Sequence, residues 1–321
     1  MRELTVGKND AGQRLDRFVS KAVPGLPDSL LQKYIRLKRV KIGGRAAKRD
    51  VRLVEGDVVS LYIGDEFFEK SSKSESVERD FSAIIRPSLE IVYEDDGLLL
   101  VNKLPGVVSH GGSKPSESLV ANIQVYIYNK GEWDPRNENS FAPALCNRLD
   151  RNTGGVVIAA KNAETLRVIG EKLRSGEVGR YYLCAVGGVV NPPSGILEGH
   201  LAKDERENRV RARSEAFEGS KYAATEYRTV ASRDGLTLLE CRLITGRTHQ
   251  IRAQLADAGH PILGDTKYGG EKRGERYQAL WSYKLTFDFK TDAGNLNHLA
   301  GKRFEVEKIG FVQKYFGDIG G

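Results

Sequence analysis

From Leu89 to Ala258 the chain reads as short apolar stretches parted by glycine-rich turns, with helical periodicity intervening only now and then. Strand-like segments fall at Ile91 to Tyr93, Leu98 to Val101, Val156 to Ala160, Tyr181 to Val186, Tyr222 to Val230 and Leu236 to Leu243. Helical segments fall at Leu119 to Tyr128, Glu164 to Arg174 and His249 to Ala258. A doubly wound fold needs strands and helices in regular alternation, and this chain lacks it. Thr225, Tyr227 and Thr229 alternate with Glu226 and Arg228, the pattern of a half-exposed antiparallel strand. The expected class is α+β: a large, mainly antiparallel mixed-sheet domain preceded by a small α+β domain.

At 321 residues there is room for both. The apolar fraction of 40% and charged fraction of 29% are those of a soluble folded protein. Lys and Arg number 50 against 43 acidic residues, and residues 1–60 alone hold 14 basic and 7 acidic side chains, so the whole excess of +7 lies there. That concentration suggests an anionic partner for the first sixty residues. The three cysteines, Cys146, Cys184 and Cys241, are not closely spaced, and no apolar stretch approaches the roughly 18 residues of a membrane span. With an opening Met-Arg-Glu-Leu that has no hydrophobic signal core, a reducing cytoplasm and no membrane association are expected.

The expected division is residues 1–63, a flexible linker over residues 64–84, and residues 85–321. In the first part, Leu15, Phe18 and Val19 have near-helical spacing, and Ser29 with Gln32 forms a potential capping box before Leu30, Leu31, Tyr34 and Ile35. Lys33, Arg36, Lys38, Arg39, Lys41, Arg45, Lys48 and Arg49 then crowd into less than twenty residues beside Tyr34, a density that suits a nucleic-acid backbone. The ordinary alternative is a solvated basic surface.

Two constellations carry the chemistry. In Asn147-Arg148-Leu149-Asp150-Arg151-Asn152-Thr153-Gly154-Gly155, one carboxylate sits between two guanidiniums at a turn feeding a buried strand. Asp150 reads either as a held reactive group or as a structural Asp capping Asn152 or Thr153. The two glycines permit close approach of backbone to a ligand and serve an ordinary turn equally well. In Thr245-Gly246-Arg247-Thr248-His249-Gln250-Ile251-Arg252, Thr248 is placed to cap a helix, and His249 and Arg252 are near neighbours along its side. Arg247 and the helix start favour an anion. The histidines are scattered and no phosphate-binding glycine loop is present, which disfavours metal-dependent hydrolysis and nucleotide chemistry.

These blocks, with Arg180-Tyr181-Tyr182-Leu183 and Gly259-His260-Pro261-Ile262-Leu263-Gly264-Asp265 followed by Tyr268, occur in an order that resembles the ribosomal large-subunit pseudouridine synthases. The Gly12-Gln13-Arg14-Leu15-Asp16-Arg17-Phe18 opening and the Val40-Lys41-Ile42-Gly43-Gly44 turn resemble the S4 RNA-binding domain those enzymes carry. The resemblance implies isomerisation of uridine to pseudouridine in structured RNA, 23S ribosomal RNA foremost, by a monomer that needs no cofactor and no metal. It implies that Asp150 is the essential carboxylate, that Tyr182 stacks on the base, and that Arg252 pairs with Asp150. Arg148, Leu149, Thr153, Arg247 and His249 take supporting places, and the basic residues of the first part bind RNA. The bond from C1′ to N1 breaks, the uracil turns, and C5 joins C1′ before its proton leaves. The carboxylate acts either by attack on sugar or base or by taking a proton from the sugar. Asn147 stands where many relatives have His and Gly154 where many have Ser; both leave the acid intact and point either to a subfamily or to a different RNA site. A non-catalytic RNA-binding protein on the same scaffold and a synthase acting on transfer RNA are the alternatives.

Overall fold

The computed structural model describes residues 1–68, 87–111, 117–204 and 209–317. Its amino-terminal part comprises β1 (Arg2–Thr5), α1 (Leu15–Ala22), α2 (Asp28–Arg36), β2 (Val40–Ile42), β3 (Arg45–Ala46) and β4 (Val58–Leu61), with the strands in the order β1-β4-β2-β3. Leu15, Phe18 and Val19 of α1 and Leu31 and Ile35 of α2 form apolar stripes at helical spacing. They close over Val40, Val59 and Leu61 of the sheet. The expected Ser29–Gln32 capping box does not form: α2 starts at Asp28, after Pro27, so Ser29 already lies inside the first turn. Phe67 and Phe68 pack on this small core, and Arg2 lies 4.3 Å over the Phe68 ring. Residues 64–68 therefore belong with the small unit rather than with the expected linker, because their two aromatic rings have apolar surface to bury. The rest of that linker, from residue 69 on, lies outside the described residues.

The remaining elements are β5 (Glu90–Glu94), β6 (Leu98–Lys103), α3 (Leu119–Asn129), β7 (Ala144–Leu145), β8 (Gly154–Ala160), α4 (Ala163–Arg174), β9 (Val178–Gly187), β10 (Ser194–Asp204), β11 (Arg209–Arg213), β12 (Lys221–Arg233), β13 (Leu236–Leu243), α5 (Gln250–Asp257), β14 (Leu280–Phe287), β15 (Arg303–Glu305) and α6 (Gly310–Phe316). One sheet runs β11-β10-β12-β13-β9-β14-β8-β6-β5, with β7 added to β8 and β15 to β14. Every pairing is antiparallel except β8 with β14, so the class is α+β with a mixed sheet. All seven residues of β8 are buried, as an unbroken apolar run requires of a strand covered on both faces.

The parallel contact explains the glycine pair. Trp281 stands opposite Gly154 and Ser282 opposite Gly155. A Cβ on Gly154 would lie 2.3 Å from the Trp281 ring, and one on Gly155 would lie 2.1 Å from the Ser282 carbonyl oxygen. Gly155 also has φ +117°, a conformation other residues rarely adopt. The pair lets two strands approach. Gly154 is thus a packing requirement set by Trp281.

Asp10, fully buried, joins the small unit to the loop between α3 and β7 by accepting hydrogen bonds from Ser140 N (3.2 Å), Ser140 Oγ (2.6 Å) and Phe141 N (2.8 Å). Among the described residues no helix is long and apolar enough to cross a membrane.

Candidate active site

Asp150 lies on the turn that enters β8, and the backbone of that turn is held from several directions. Ser109 Oγ donates to the Leu149 carbonyl at 2.8 Å, while Gly106 N and Lys103 Nζ donate to the Arg151 carbonyl at 2.9 and 3.1 Å. Thr153 N closes onto the Asp150 carbonyl at 3.1 Å, and Gln278 Nε2 bonds Thr153 Oγ1 at 3.0 Å. With the backbone so occupied, the Asp150 carboxylate is not needed as a loop cap. It projects into a cleft of about 900 Å³ lined by, among others, His110, Asn147, Arg180, Tyr182, Arg247 and His249.

Its partner is Arg252. The guanidinium donates from Nη1 to Asp150 Oδ2 at 2.8 Å and grips Asp265 from behind, through Nε at 2.6 Å and Nη2 at 2.8 Å. Burial opposes the Arg252 charge, yet the bonds and charge of Asp265, then of Asp150, outweigh it and its pKa is raised. Helix α5 delivers Arg252 because Ile251 and Leu255 anchor the helix in the core. His249 also faces the carboxylate, with Nε2 3.7 Å from Asp150 Oδ2. Its Nδ1 meets the Tyr268 hydroxyl at 2.9 Å, and that hydroxyl accepts from Val210 N at 2.9 Å. Burial lowers the His249 pKa, against the pull of Asp150, and keeps the ring neutral at neutral pH.

The flanking arginines play no such part. Arg148 and Arg151 are exposed, and Arg151 Nε donates instead to the Gly106 carbonyl at 3.1 Å. Thr248 does not cap α5: His249 occupies the N-cap in a left-handed conformation, φ 52°. No side chain caps α5; the Gln250 side chain instead braces the turn before it, accepting from Arg247 N at 2.9 Å and Thr245 Oγ1 at 2.7 Å. Arg247 is exposed at the cleft rim with Nε on the Tyr222 carbonyl at 3.0 Å.

Tyr182, on β9, is 6% exposed and walls the cleft. Burial raises its pKa, so it stays a neutral ring. Leu149 and Thr153 are buried and line the same cleft. Asn147 accepts from Ile158 N at 2.8 Å, which gives its side chain a strand-end role, while it also lines the cleft. Burial pushes the Cys146 thiol up to about 12, which removes it as a nucleophile.

Three participants carried no assigned role in the sequence reading. Asp265 and Tyr268 were legible only as members of a matched block, because thirteen and sixteen residues of chain separate them from Arg252. Lys103 gave a local signal: it is a cation ending an apolar strand. Its Nζ, 1% exposed with the rest of the residue, donates to the carbonyls of Leu104, Val107 and Arg151. Burial lowers its pKa to about 8, with Asp150 pulling the other way.

The basic residues of the small unit lie apart from this cleft. Lys33, Arg36, Lys38, Arg39, Arg45, Lys48 and Arg49 are exposed and Lys41 is half-buried. Arg39 lies 5.3 Å over Tyr34 and Lys41 5.0 Å over Tyr62.

Residues 97–257 match the family described as RNA pseudouridylate synthase. Ribosomal large subunit pseudouridine synthase C of Yersinia pestis is 30% identical over 96% of this chain and 88% of its own length. Synthase D of Xylella fastidiosa is 32% identical over 84% of this chain and 75% of its own. The solved structure of human RNA Pseudouridylate Synthase Domain Containing 4 shares the fold, with a TM-score of 0.52 at 19% identity over 75% of this chain and 92% of that one. The chain belongs to the RNA pseudouridylate synthase family and is an RNA pseudouridine synthase.

Proposed function

We propose that this enzyme converts uridine to pseudouridine in large-subunit ribosomal RNA, with Asp150 as the reacting carboxylate, Tyr182 as the face on which the base stacks, and Arg252 as the cation that holds Asp150. The observation that carries the assignment is the Asp150–Arg252 contact of 2.8 Å inside a cleft also walled by Tyr182. A guanidinium already tied to Asp265 is fixed in place, so Asp150 is presented at one position when RNA displaces water. That pairing offsets the carboxylate's lost hydration. A uridine reaches the cleft only by leaving its neighbours in the RNA, at a cost of about a few kcal/mol. Stacking on Tyr182 returns roughly 1–3 kcal/mol of this. The exposed cations between Lys33 and Arg49 form an S4-like phosphate-binding surface that supplies the remainder at a distance from the reacting base. Large-subunit ribosomal RNA is favoured because the relatives from Yersinia pestis and Xylella fastidiosa bear that substrate in their names over most of this chain's length.

The test is to incubate the purified chain with ribosomal and transfer RNA from a strain lacking the gene, and then to map pseudouridines. New modification at discrete uridines of the large-subunit RNA is expected. Modification confined to transfer RNA would overturn the substrate, and none in either would overturn the reading as a whole.

A further inference from the structure

The cations of the cleft differ in how they are satisfied. Arg252 is held by two carboxylates, Arg151 and Arg247 donate to backbone carbonyls, and Arg148 and Arg174 stand in solvent. Arg180 is unlike all of these. It is half-buried, its Nε is sealed from solvent without a hydrogen-bond partner, and among the described residues no carboxylate lies within ion-pair distance. With no carboxylate beside it, the charge of this cleft-lining guanidinium is left to be paired by an anion from outside.

Its surroundings are shaped to hold it. Arg180 precedes Tyr182 by two residues on β9, so both side chains leave the strand on one face, and both line the cleft. Across from it, a Cβ on Gly246 would lie 2.7 Å from Arg180 Nη1. Glycine at that position leaves the guanidinium its room. RNA brings one negative charge per nucleotide whereas the uracil ring is neutral, and the planar fork of arginine fits phosphate oxygens in pairs.

We propose that Arg180 binds a phosphate diester flanking the uridine that enters the cleft, a contact that rests on the reading of the cleft as a uridine pocket. The phosphate then meets the terminal donors of Arg180 on the cleft side, and fixes the sugar relative to Asp150.

The experiment uses the full chain and a synthetic RNA hairpin carrying the uridine mapped on ribosomal RNA, prepared with a neutral methylphosphonate at each flanking linkage in turn. Arg180→Gln is expected to lower kcat/KM on the all-phosphate hairpin about 10- to 100-fold. One methylphosphonate should impose a similar loss on the unmutated enzyme, and the two changes together should cost no more than either alone. Gly246→Ala, which keeps the charge but crowds the guanidinium, should shift kcat/KM the same way and covers the case in which Arg180→Gln does not fold. Unmutated rates for both variants, or losses that multiply at every linkage, would overturn the proposal. An unmutated enzyme that leaves the uridine intact would overturn the uridine-pocket reading instead, so the two failures are distinguishable.

Discussion

Asp265 reaches Asp150 only through Arg252: two donors of the guanidinium are committed to Asp265, and a third, on Nη1, points at Asp150. Asp265 is 1% exposed at its side chain and Arg252 8%, so the pair behind the cleft is a buried one. Removing one partner of such a pair typically costs about 3–5 kcal/mol. Asp265→Asn should therefore lower unfolding free energy by about that amount. It should also slow turnover about tenfold or more while KM for RNA stays near its original value, because Arg252 loses its orientation and the RNA-binding surface is untouched. Denaturant unfolding and single-turnover kinetics on the same samples check both parts. An Asp265→Asn enzyme of full rate would show that Arg252 needs no backing.

Lys103 connects the turn of Asp150 to pH. Its folded-state pKa of about 8 lies below the 10.5 of an exposed lysine, so between those values the unfolded chain binds the extra proton. Stability from this group therefore rises as pH increases from 8 toward 10.5, and is lost as pH falls back through 8. The stability of the unmutated chain minus that of Lys103→Met should grow across this window, by at most on the order of 3 kcal/mol. A difference flat with pH would contradict the buried-cation account.

The glycines at the parallel junction predict a packing defect with a specific cure. Gly154→Ser drives a side chain into the Trp281 ring and should destabilise the fold by about 1–3 kcal/mol. Trp281→Leu in the same chain should recover part of that loss in a thermal melt. Gly155→Ala meets backbone rather than a side chain, so no partner substitution should rescue it.

Capture and chemistry lie on separate surfaces, so they should separate in kinetics. Replacing Lys33, Arg36, Lys48 and Arg49 by Gln should raise KM for structured RNA, leave kcat unchanged, and flatten the dependence of log KM on log salt by about 3. Asp10→Ala, which leaves Ser140 N and Phe141 N without their acceptor, should raise KM in the same way by loosening the small unit. A fall in kcat with constant KM would place the basic face in the chemistry instead.

Much of this was readable before the fold was seen, for identifiable reasons. The segments Leu98 to Val101 and Val156 to Ala160 are continuous apolar runs, and burial on both faces is the only way to satisfy them. The pairing of Asp150 with Arg252 came from motif resemblance, since 102 residues of separation leave no local trace. Strand β14 was missed although it lies between β8 and β9, because Leu280–Phe287 mixes Ser, Lys and Thr with its apolar residues. The hairpin β10–β11 is also absent from the expected strands, although Arg209-Val210-Arg211-Ala212-Arg213 alternates as a half-exposed strand does. The packing role of the glycine pair has no trace in the sequence because its cause, Trp281, belongs to the unrecognised strand β14. Arg180 belongs to the Arg180-Tyr181-Tyr182-Leu183 block, but an orphaned donor is a property of the packed molecule and has no sequence signature.

The most direct measurement is pseudouridine formation by Asp150→Asn on the RNA that the unmutated chain modifies. The side chain keeps its size and an acceptor for Arg252, so the protein should fold and bind RNA with KM little changed. The account predicts no detectable pseudouridine at the mapped uridine, whereas conversion at the full rate would contradict it.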